Sequence, residues 1–298
     1  MKLLWIEDFL ALADTGSFSG AAATRYITQP AFSRRIQALE AWLGVELVDR
    51  RSQPPRLTDT ARRHIPAFRA LLRDMNQLRS HMQSEAGGAA RLTLVTQHSL
   101  TMTRLPALLG RFSRSRAPRV EFTVRSENRD ECMTLFMRGD ADLLLCMEEP
   151  DDPLSRLIPG DRRLSMGEEV LVPLSAPGRN GHPLHAPHAG KPLKLLAFPP
   201  NSYLGRVMYK RCFGALFQTC QVQITHESVF LAGVKEVLLA GLGMAWLPRG
   251  LVERELASGS LLMLDESLPR VTLRLALYRS DHCAYPDTLA HAWALLSR

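Results

Sequence analysis

The stretch GSFSGAAATRYITQPAFSRRIQALEAWLGVELVDR, residues 16–50, decides the fold of the N-terminal part of the chain. Gly16 ends a first amphipathic helix, and Ser17 is placed to cap a second, alanine-rich helix. Thr28 is a candidate N-cap for a third helix, because Pro30 follows in the first turn, where its missing N–H costs no hydrogen bond. The pattern therefore predicts three short helices joined by tight turns.

The third helix is predicted to be amphipathic. Its apolar stripe, at helical spacing, is formed by Phe32, Ile36, Leu39 and Leu43. Its exposed side and N-terminal tip then carry Gln29, Pro30, Ser33, Arg34 and Gln37. Arginine pairs well with O6 and N7 of guanine, and glutamine with N6 and N7 of adenine. This helix is therefore a candidate for insertion into a DNA groove.

The segment GVELVDRRSQPPRLTD, residues 44–59, alternates apolar and polar residues around a Pro-Pro turn. It predicts a two-stranded wing that carries Arg50, Arg51 and Arg56. The charge distribution agrees with a basic surface here, since residues 25–73 contain ten arginines against four acidic residues. Basic wings of this kind hold the sugar-phosphate backbone of DNA.

A long helix is predicted to follow the wing. Its near-heptad apolar stripe consists of Ala61, Ile65, Phe68, Leu72, Met75 and Met82, and Leu71 and Leu78 widen it. Because such a helix cannot bury its stripe alone, we expect the same helix of a second copy to cover it. Gly87-Gly88 is expected to end the helix and act as a hinge.

Beyond Arg91 the pattern changes to strands that alternate with helices in two successive sets, which is typical of parallel sheets. The last strand-like stretch, VTLRLALY at residues 271–278, is expected to return to the first set. A chain that crosses twice in this way forms two α/β lobes with a cleft between them. In such sheets ligands bind outside the carboxyl ends of the strands.

The composition of the chain limits which classes of protein it can belong to. The chain has 298 residues, 46% of them hydrophobic, and a net charge of +7 that permits a polyanionic partner. Five scattered cysteines and the lack of a signal-peptide pattern favour a reducing cytoplasm, and no apolar run reaches the roughly 18 residues that span a membrane. The histidines lack acidic partners at metal-ligand or triad spacing, so we expect no metal, no cofactor and no catalysis.

The segment from Trp5 to Thr58, with its Thr-Gln-Pro-Ala, Ser-Arg, Leu-Glu and Leu-Gly steps, resembles the N-terminal domain of LysR-type transcriptional regulators. GLGMAWLP, residues 241–248, is similar to a stretch near the end of that family's effector domain. The resemblance implies an α/β protein with a winged helix-turn-helix at 1–57, a linker and dimerisation helix with a hinge at 58–88, and a two-lobed, periplasmic-binding-protein-like effector domain at 89–298. Lobe I would comprise about 89–160 and 268–298, and lobe II about 161–267.

The resemblance also implies partners. These are double-stranded operator DNA, a second copy of the chain in a dimer or tetramer, RNA polymerase, and an unknown small-molecule effector or oxidant. The base-reading positions fall on Gln29, Ser33 and Arg34, and the backbone-contacting positions on Thr28, Arg50 and Arg51. The remaining predicted DNA-binding residues are Phe18, Ser19, Pro30, Arg35, Gln37 and Arg56.

The effector is expected to be small and anionic or polar, and to contact three strand-to-helix corners of the cleft. The predicted residues are His98, Ser99, Leu100 and Thr101 at the first corner, Asn201, Ser202, Tyr203 and Arg206 at the second, and His226, Glu227 and Ser228 at the third. Ser99 and Ser202 have an alternative interpretation as plain helix caps.

Within the family, the chain most resembles the hypochlorite-responsive subgroup. However, at the positions where that subgroup would carry oxidant-sensing methionines, this chain has Phe112, Leu204 and Phe230. We therefore expect this chain to share the architecture of the subgroup but not its methionine-based sensing of oxidants.

Three alternatives remain open. The first is a regulator that senses oxidants through methionine or thiol groups, such as Cys212 and Cys220, without a reversible ligand. The second is an enzyme that uses the loop histidines His182, His185 and His188. The third is a solute-binding protein for transport, which explains two lobes but not residues 1–85.

Overall fold

The computed structural model describes residues 2–52, 55–85, 89–113, 120–187, 192–265 and 267–297. Part of the predicted wing turn (residues 53–54), the predicted hinge Gly87-Gly88 and His188 lie outside the described residues. The chain divides into two compact units, residues 1–88 and 89–298.

The first unit consists of helices and one small antiparallel strand pair. Its described elements are α1 (Leu3–Thr15), α2 (Phe18–Thr24), α3 (Gln29–Leu43), β1 (Val48–Asp49), β2 (Arg56–Leu57) and α4 (Asp59–Glu85). Strands β1 and β2 pair with each other and form the predicted wing.

Local sequence explains where these helices begin and end. Gly16 and Gly44 follow α1 and α3 with left-handed φ angles of +66° and +72°, which glycine adopts without a Cβ clash. The predicted cap at Ser17 is confirmed, because the N–H of Gly20 donates to its Oγ at 3.0 Å. Thr28 occupies the N-cap position of α3, but its side chain makes no capping hydrogen bond to a described residue. The predicted N-cap position is therefore confirmed, and the side chain adds no hydrogen bond to it.

The predicted apolar stripe of α3 lies in the core of the first unit. Phe32, Ile36 and Leu39 are fully buried, and Phe9 of α1 belongs to the same cluster. The first half of α4 covers this cluster as well, since the rings of Phe9 and Phe68 lie 4.9 Å apart. The α4 residues that contact the core are Ala61, Ile65, Phe68 and Leu72. The expectation that a second copy covers the whole stripe is therefore corrected: its first half is used within the chain.

The second unit alternates strands and helices. Its first part contains β3 (Ala90–Gln97), α5 (His98–Thr103), α6 (Leu105–Ser113), β4 (Val120–Glu127), α7 (Arg129–Arg138), β5 (Leu143–Glu148), α8 (Leu154–Leu157) and β6 (Arg163–Ser175). Its second part contains β7 (Leu193–Ala197), α9 (Tyr203–Met208), a π-helical turn (Tyr209–Phe213), α10 (Gly214–Thr219), β8 (Val222–Glu227), α11 (Leu231–Leu239), β9 (Ala245–Pro248), α12 (Glu253–Ser258), β10 (Leu262–Met263), β11 (Val271–Arg279) and α13 (Pro286–Leu296).

The sheets of the second unit show how the chain crosses between lobes. Strand β3 runs parallel to β4 and β5, as predicted. Strand β11 returns to this first lobe, because Tyr278 lies opposite Leu144 in an antiparallel pairing with β5. Strands β6 and β11 also pair with each other, so they join one seven-stranded sheet in the order β10-β6-β11-β5-β3-β4, with β9 beside β6. In lobe II, β7 and β8 form a separate parallel pair.

None of the helices that the structure describes combines the length and the apolar character needed to cross a bilayer.

Candidate nucleic-acid interface and interlobe pocket

The outer face of α3 presents polar groups to solvent. Gln29, Arg34 and Gln37 are exposed, and Ser33 is half-buried on the flank. The Nε of Arg34 makes only a long hydrogen bond, 3.4 Å, to the carbonyl oxygen of Pro30. Because the opposite face is held by the core, these side chains are free to reach an external partner.

Several predicted DNA-binding arginines are instead engaged in ion pairs within the unit. Arg35 lies 3.2 Å from the carboxylate of Asp8, which is fully buried. Arg50 lies 2.7 Å from a carboxylate oxygen of Glu40. A buried carboxylate needs such partners, because an unpaired buried charge is costly. Arg35 and Arg50 therefore have a structural role that the sequence did not reveal.

A second group of arginines has no carboxylate partner within the part of the chain that the structure describes. Its members on the first unit, all of them exposed, are Arg34, Arg51, Arg56, Arg63 and Arg79. Arg51 and Arg56 flank the wing turn, and Arg34 lies on α3. Three of these five arginines therefore lie on the predicted DNA-binding elements, and the other two, Arg63 and Arg79, lie on α4.

Glu40 fixes the wing to α3. Its Oε1 accepts hydrogen bonds from the N–H groups of Leu47 and Val48, at 2.9 and 3.0 Å, while Oε2 binds Arg50. Glu40 did not emerge from the sequence as a functional residue. Its position in the sequence could have indicated this role. An acidic residue directly after Leu39 borders the apolar stripe and must be neutralised by buried donors.

The remaining predicted residues divide by exposure. Phe18 is half-buried and packs edge-on against Phe32, with ring centroids 5.9 Å apart, so its main contact is the core. Ser19, Thr28 and Pro30 are exposed.

The second half of α4 leaves part of its apolar stripe uncovered. The exposed members are Leu71, Met75, Leu78 and Met82, with exposures from 42% to 62%. Beside them lies a groove of about 400 Å³, lined mainly by Leu43, Val45, Leu47, Phe68 and Leu71. An apolar surface of this kind marks an interaction site.

A small pocket lies between the two lobes of the second unit. From lobe I it is lined by Gln97, His98, Ser99, Glu127 and Arg129, and from lobe II by Phe198, Ser202, Tyr203 and Leu204. Its volume is about 40 Å³, which gives room for roughly three water molecules. The structure thus brings four predicted effector residues together here, namely His98, Ser99, Ser202 and Tyr203.

The two serines of the pocket differ. The Oγ of Ser202 donates to the carbonyl oxygen of Pro199 at 2.7 Å and accepts the N–H of Gly205 at 3.0 Å, so it caps α9. A Cβ on Gly205 would lie 1.9 Å from that carbonyl oxygen, which makes glycine necessary for this close approach. The Oγ of Ser99 is buried and has no hydrogen-bond partner among the described residues. The cap interpretation therefore holds for Ser202 and not for Ser99.

Arg129 forms one wall of the pocket. It is 5% exposed, donates from Nε to the carbonyl oxygen of Met147 at 2.8 Å and pairs with Asp152. Its guanidinium lies 4.2 Å from the ring centroid of Tyr203. Burial raises the pKa of the Tyr203 phenol above its ordinary value although Arg129 acts in the opposite direction. The phenol is therefore protonated at neutral pH and available as a donor.

Arg206 is not available for a ligand carboxylate in this structure. Its Nη2 lies 3.1 and 3.0 Å from the two carboxylate oxygens of Asp130 in lobe I, and Nη1 donates to the carbonyl oxygen of Asn201 at 2.6 Å. Arg206 and Asp130 line a second, larger cavity of about 360 Å³ that shares Arg129 and Tyr203 with the small pocket.

Other predicted effector residues lie elsewhere. Leu100 is fully buried in the core, and the hydroxyl of Thr101 pairs with that of Ser126 at 2.6 Å. Among the residues that line the two described interlobe cavities, the third predicted corner is not represented; it consists of His226, Glu227 and Ser228.

Glu127 and Arg129 were not predicted as pocket residues, although the sequence contains a signal for them. Both lie where β4 gives way to α7, which is a fourth strand-to-helix corner on the same edge as the first. The pattern RVEFTVRSENRD, residues 119–130, contains a strand followed by polar residues. The carboxyl end of such a strand belongs to the ligand edge of a parallel sheet.

Burial opposes thiol chemistry at most cysteines. It raises the pKa of Cys132, Cys146 and Cys212 to about 12, which disfavours the reactive thiolate. Cys220 is half-buried.

The described residues contain no group of three or more His, Cys, Asp or Glu side chains arranged to hold a metal ion.

Two family models together match almost the whole chain. Residues 3–62 match the bacterial regulatory helix-turn-helix protein model of the lysR family, and residues 85–298 match the LysR substrate binding domain. The HTH-type transcriptional regulator YjiE of Escherichia coli K12 is 29% identical over 288 residues, which cover 93% of this chain and 88% of that protein.

Solved structures agree with these matches. The crystal structure of Vibrio fischeri DarR in complex with DNA, from a study of transcriptional activation by LTTR family members, has a TM-score of 0.60 and 28% identity, covering 100% of this chain and 99% of that one. The full-length structure of HypT from Salmonella typhimurium, a hypochlorite-specific LysR-type transcriptional regulator, has a TM-score of 0.55 and 26% identity, covering 99% of both chains.

Proposed function

Because this chain belongs to the LysR family of DNA-binding transcriptional regulators, we propose that it reads its operator with the exposed face of α3 and holds the DNA backbone with the wing. Gln29, Ser33 and Arg34 are the proposed base-reading residues. Arg51 and Arg56 are the proposed phosphate contacts. Arg50 supports the wing through Glu40 and contributes less directly to binding.

The observation that carries this proposal is the distribution of unpaired arginines. Arg34, Arg51 and Arg56 are exposed and lack a carboxylate partner within the described residues, whereas Arg35 and Arg50 are bound to buried carboxylates. Cations that are not neutralised within the protein are those that can displace counterions from DNA. The proposed organisation is a DNA-binding domain at 1–57, a linker helix and hinge at 58–88 and an effector domain at 89–298.

The experiment is a genome-wide footprint of the bound protein, followed by binding of a recovered fragment at several salt concentrations. We expect a discrete set of sites, and an affinity that falls steeply as salt rises. Binding that is equally strong for recovered and random fragments would contradict sequence-specific recognition.

The interlobe pocket is the proposed site of a small polar effector. The support is the convergence of four side chains at its wall, with the hydroxyls of Ser99 and Tyr203 both unpaired within the described residues. Ser99→Ala and Tyr203→Phe are expected to abolish the response to the effector while DNA binding without the effector is retained. Ser202→Ala is a weaker test, because it also removes the cap of α9.

A reversible ligand is proposed in preference to oxidation. The resemblance to the hypochlorite-responsive subgroup is supported by the shared full-length architecture at 26% identity. However, Phe112, Leu204 and Phe230 occupy the positions expected for its sensing methionines, and three of the five cysteines are buried. Retention of the response in a Ser99→Ala variant, with its loss on replacement of a cysteine or methionine outside the pocket, would contradict the proposal.

The chain is proposed to act as a dimer through the exposed half of the α4 stripe, or as a tetramer when effector domains also pair. The support is the apolar surface of Leu71, Met75, Leu78 and Met82. RNA polymerase is a proposed partner at the promoter, by resemblance to the family.

A further inference from the structure

Two residues that line the interlobe pocket, Ser99 and Tyr203, carry buried hydroxyl groups. Ser99 is 3% exposed and Tyr203 is 8% exposed, and both line the pocket. Neither Ser99 Oγ nor the Tyr203 hydroxyl has a hydrogen-bond partner in the part of the chain that the structure describes. Buried polar groups are almost always paired in folded proteins, so two unpaired hydroxyls in one pocket indicate a place for a bound acceptor.

Among the described residues that line the pocket, no arginine or lysine is left without a partner. Arg129 lines it, but its guanidinium is committed to Asp152, to the carbonyl oxygen of Met147 and to the ring of Tyr203. Arg206 is bound on both carboxylate oxygens of Asp130. An anionic ligand would therefore have hydroxyl dipoles as partners and no unpaired guanidinium.

Glu127 makes the pocket unfavourable for an anion. Its side chain is half-buried at the end of β4 and lines the pocket. No ion pair or side-chain hydrogen bond joins its carboxylate to another described residue. A carboxylate at the pocket wall repels a second carboxylate, whereas a ligand N–H would satisfy it.

We propose that the pocket selects an uncharged ligand carrying an amide-like group, and that Glu127 is the residue that sets this selectivity. The ligand carbonyl oxygen accepts hydrogen bonds from the hydroxyls of Ser99 and Tyr203, and its N–H donates to the carboxylate of Glu127. Phe198, Leu204 and Leu231 supply an apolar wall for a short aliphatic group. This inference rests on the proposed effector role of the pocket and narrows the expected ligand from anionic or polar to uncharged.

The test uses acetamide and acetate, which have the same shape and four heavy atoms each, matching a pocket of about 40 Å³. Saturation-transfer NMR measures millimolar binding of each probe to the full-length protein at about pH 8. We expect acetamide to bind about tenfold or more tightly than acetate. Glu127→Gln should remove this preference.

The matched control is Glu131→Gln, the same chemical change at an exposed position of α7 that does not line the described pocket. It should keep the preference for acetamide. Ser99→Ala and Tyr203→Phe should weaken both probes, and the thermal midpoint of each variant reports whether it folds.

Each outcome decides between separate claims. Equal or tighter binding of acetate to the parent protein, or an unchanged preference in Glu127→Gln, would overturn the uncharged-ligand assignment and leave the pocket as the effector site. Binding of neither probe, or acetamide binding that is insensitive to Ser99→Ala, would overturn the pocket assignment as well. DNA binding by the same preparations tests the regulator function independently.

Discussion

At the level of single residues, neighbouring arginines on α3 have opposite roles. Arg35 neutralises Asp8, a fully buried carboxylate that Arg25 also contacts at 2.8 Å. We predict that Arg35→Ala lowers the free energy of unfolding by about 1–2 kcal/mol, since one of the two partners of a buried charge is lost. Urea denaturation measures the change. Arg34→Ala is the control, and it should remain within about 0.5 kcal/mol of the parent. Equal destabilisation by the two variants would contradict this division.

The cysteines provide a second residue-level prediction. With a pKa of about 12, Cys132, Cys146 and Cys212 should each be only about one part in ten thousand thiolate at pH 8. Iodoacetamide should therefore modify Cys220 well before these three in the native protein. Mass spectrometry after timed quenching measures the order, and alkylation in urea is the control. Rapid native modification of Cys212 would restore the thiol-sensing alternative.

At the level of elements, the wing is expected to supply phosphate contacts. Arg51→Ala and Arg56→Ala should each reduce the slope of log affinity against log salt by about 0.9, because each removes one phosphate contact. Arg50→Ala should change the slope less, since Arg50 is paired with Glu40 at 2.7 Å. Fluorescence anisotropy at four salt concentrations measures the slopes. A larger slope change for Arg50→Ala than for Arg51→Ala would show that the Glu40 pair opens on DNA.

Helix α4 carries the prediction about assembly. Leu78 is 56% exposed on the uncovered part of the apolar stripe, so Leu78→Glu should place a charge in the interface and shift the protein towards monomer. Asn76→Glu adds the same charge at an exposed position of the same helix and should leave assembly unchanged. Sedimentation at micromolar concentration distinguishes the 33.3 kDa monomer from larger species. A parent protein that sediments as a monomer would remove the dimer proposal.

The buried face of a helix could be predicted from the sequence where its apolar residues followed a single helical periodicity. The stripe Phe32, Ile36 and Leu39 has a single solution, since any other helix rotation would expose it. The burial of the α4 stripe could not be predicted in this way, because the stripe is longer than one packing partner can cover. Its first half contacts the first-unit core, and its second half remains exposed. Periodicity reports that a face is buried and does not report which surface buries it.

For the candidate sites, the sequence predicted where functional side chains lie better than it predicted which residues they pair with. Ser99 and Tyr203 follow from the rule that parallel strands present ligands at their carboxyl ends. The pairings of Arg35 with Asp8 and of Arg206 with Asp130 join residues 27 and 76 positions apart, and local sequence carries no signal for them. The free and the engaged arginines could therefore be separated only in three dimensions.

At the level of the whole molecule, the chain joins a helix-turn-helix unit to a unit that matches the LysR substrate binding domain, and residues 1–88 and 89–298 are each compact. A regulator of this kind responds when a ligand binds one conformation of the effector unit better than another. Strands β6 and β11 both belong to the seven-stranded sheet and connect the two lobes. We therefore expect a change in the interlobe pocket to reach both lobes through these two strands.

The most direct test of sequence-specific recognition by α3 compares Arg34→Ala with Arg179→Ala. Arg179 is an exposed arginine of the second unit, so both variants lose one exposed positive charge. The measurement is the ratio of affinities for a recovered genomic site and a scrambled fragment, at one salt concentration. Loss of a base contact worth about 1–3 kcal/mol should lower this ratio roughly 5- to 150-fold in Arg34→Ala and leave it unchanged in Arg179→Ala. An unchanged ratio in Arg34→Ala would contradict the assignment of α3 as the recognition helix.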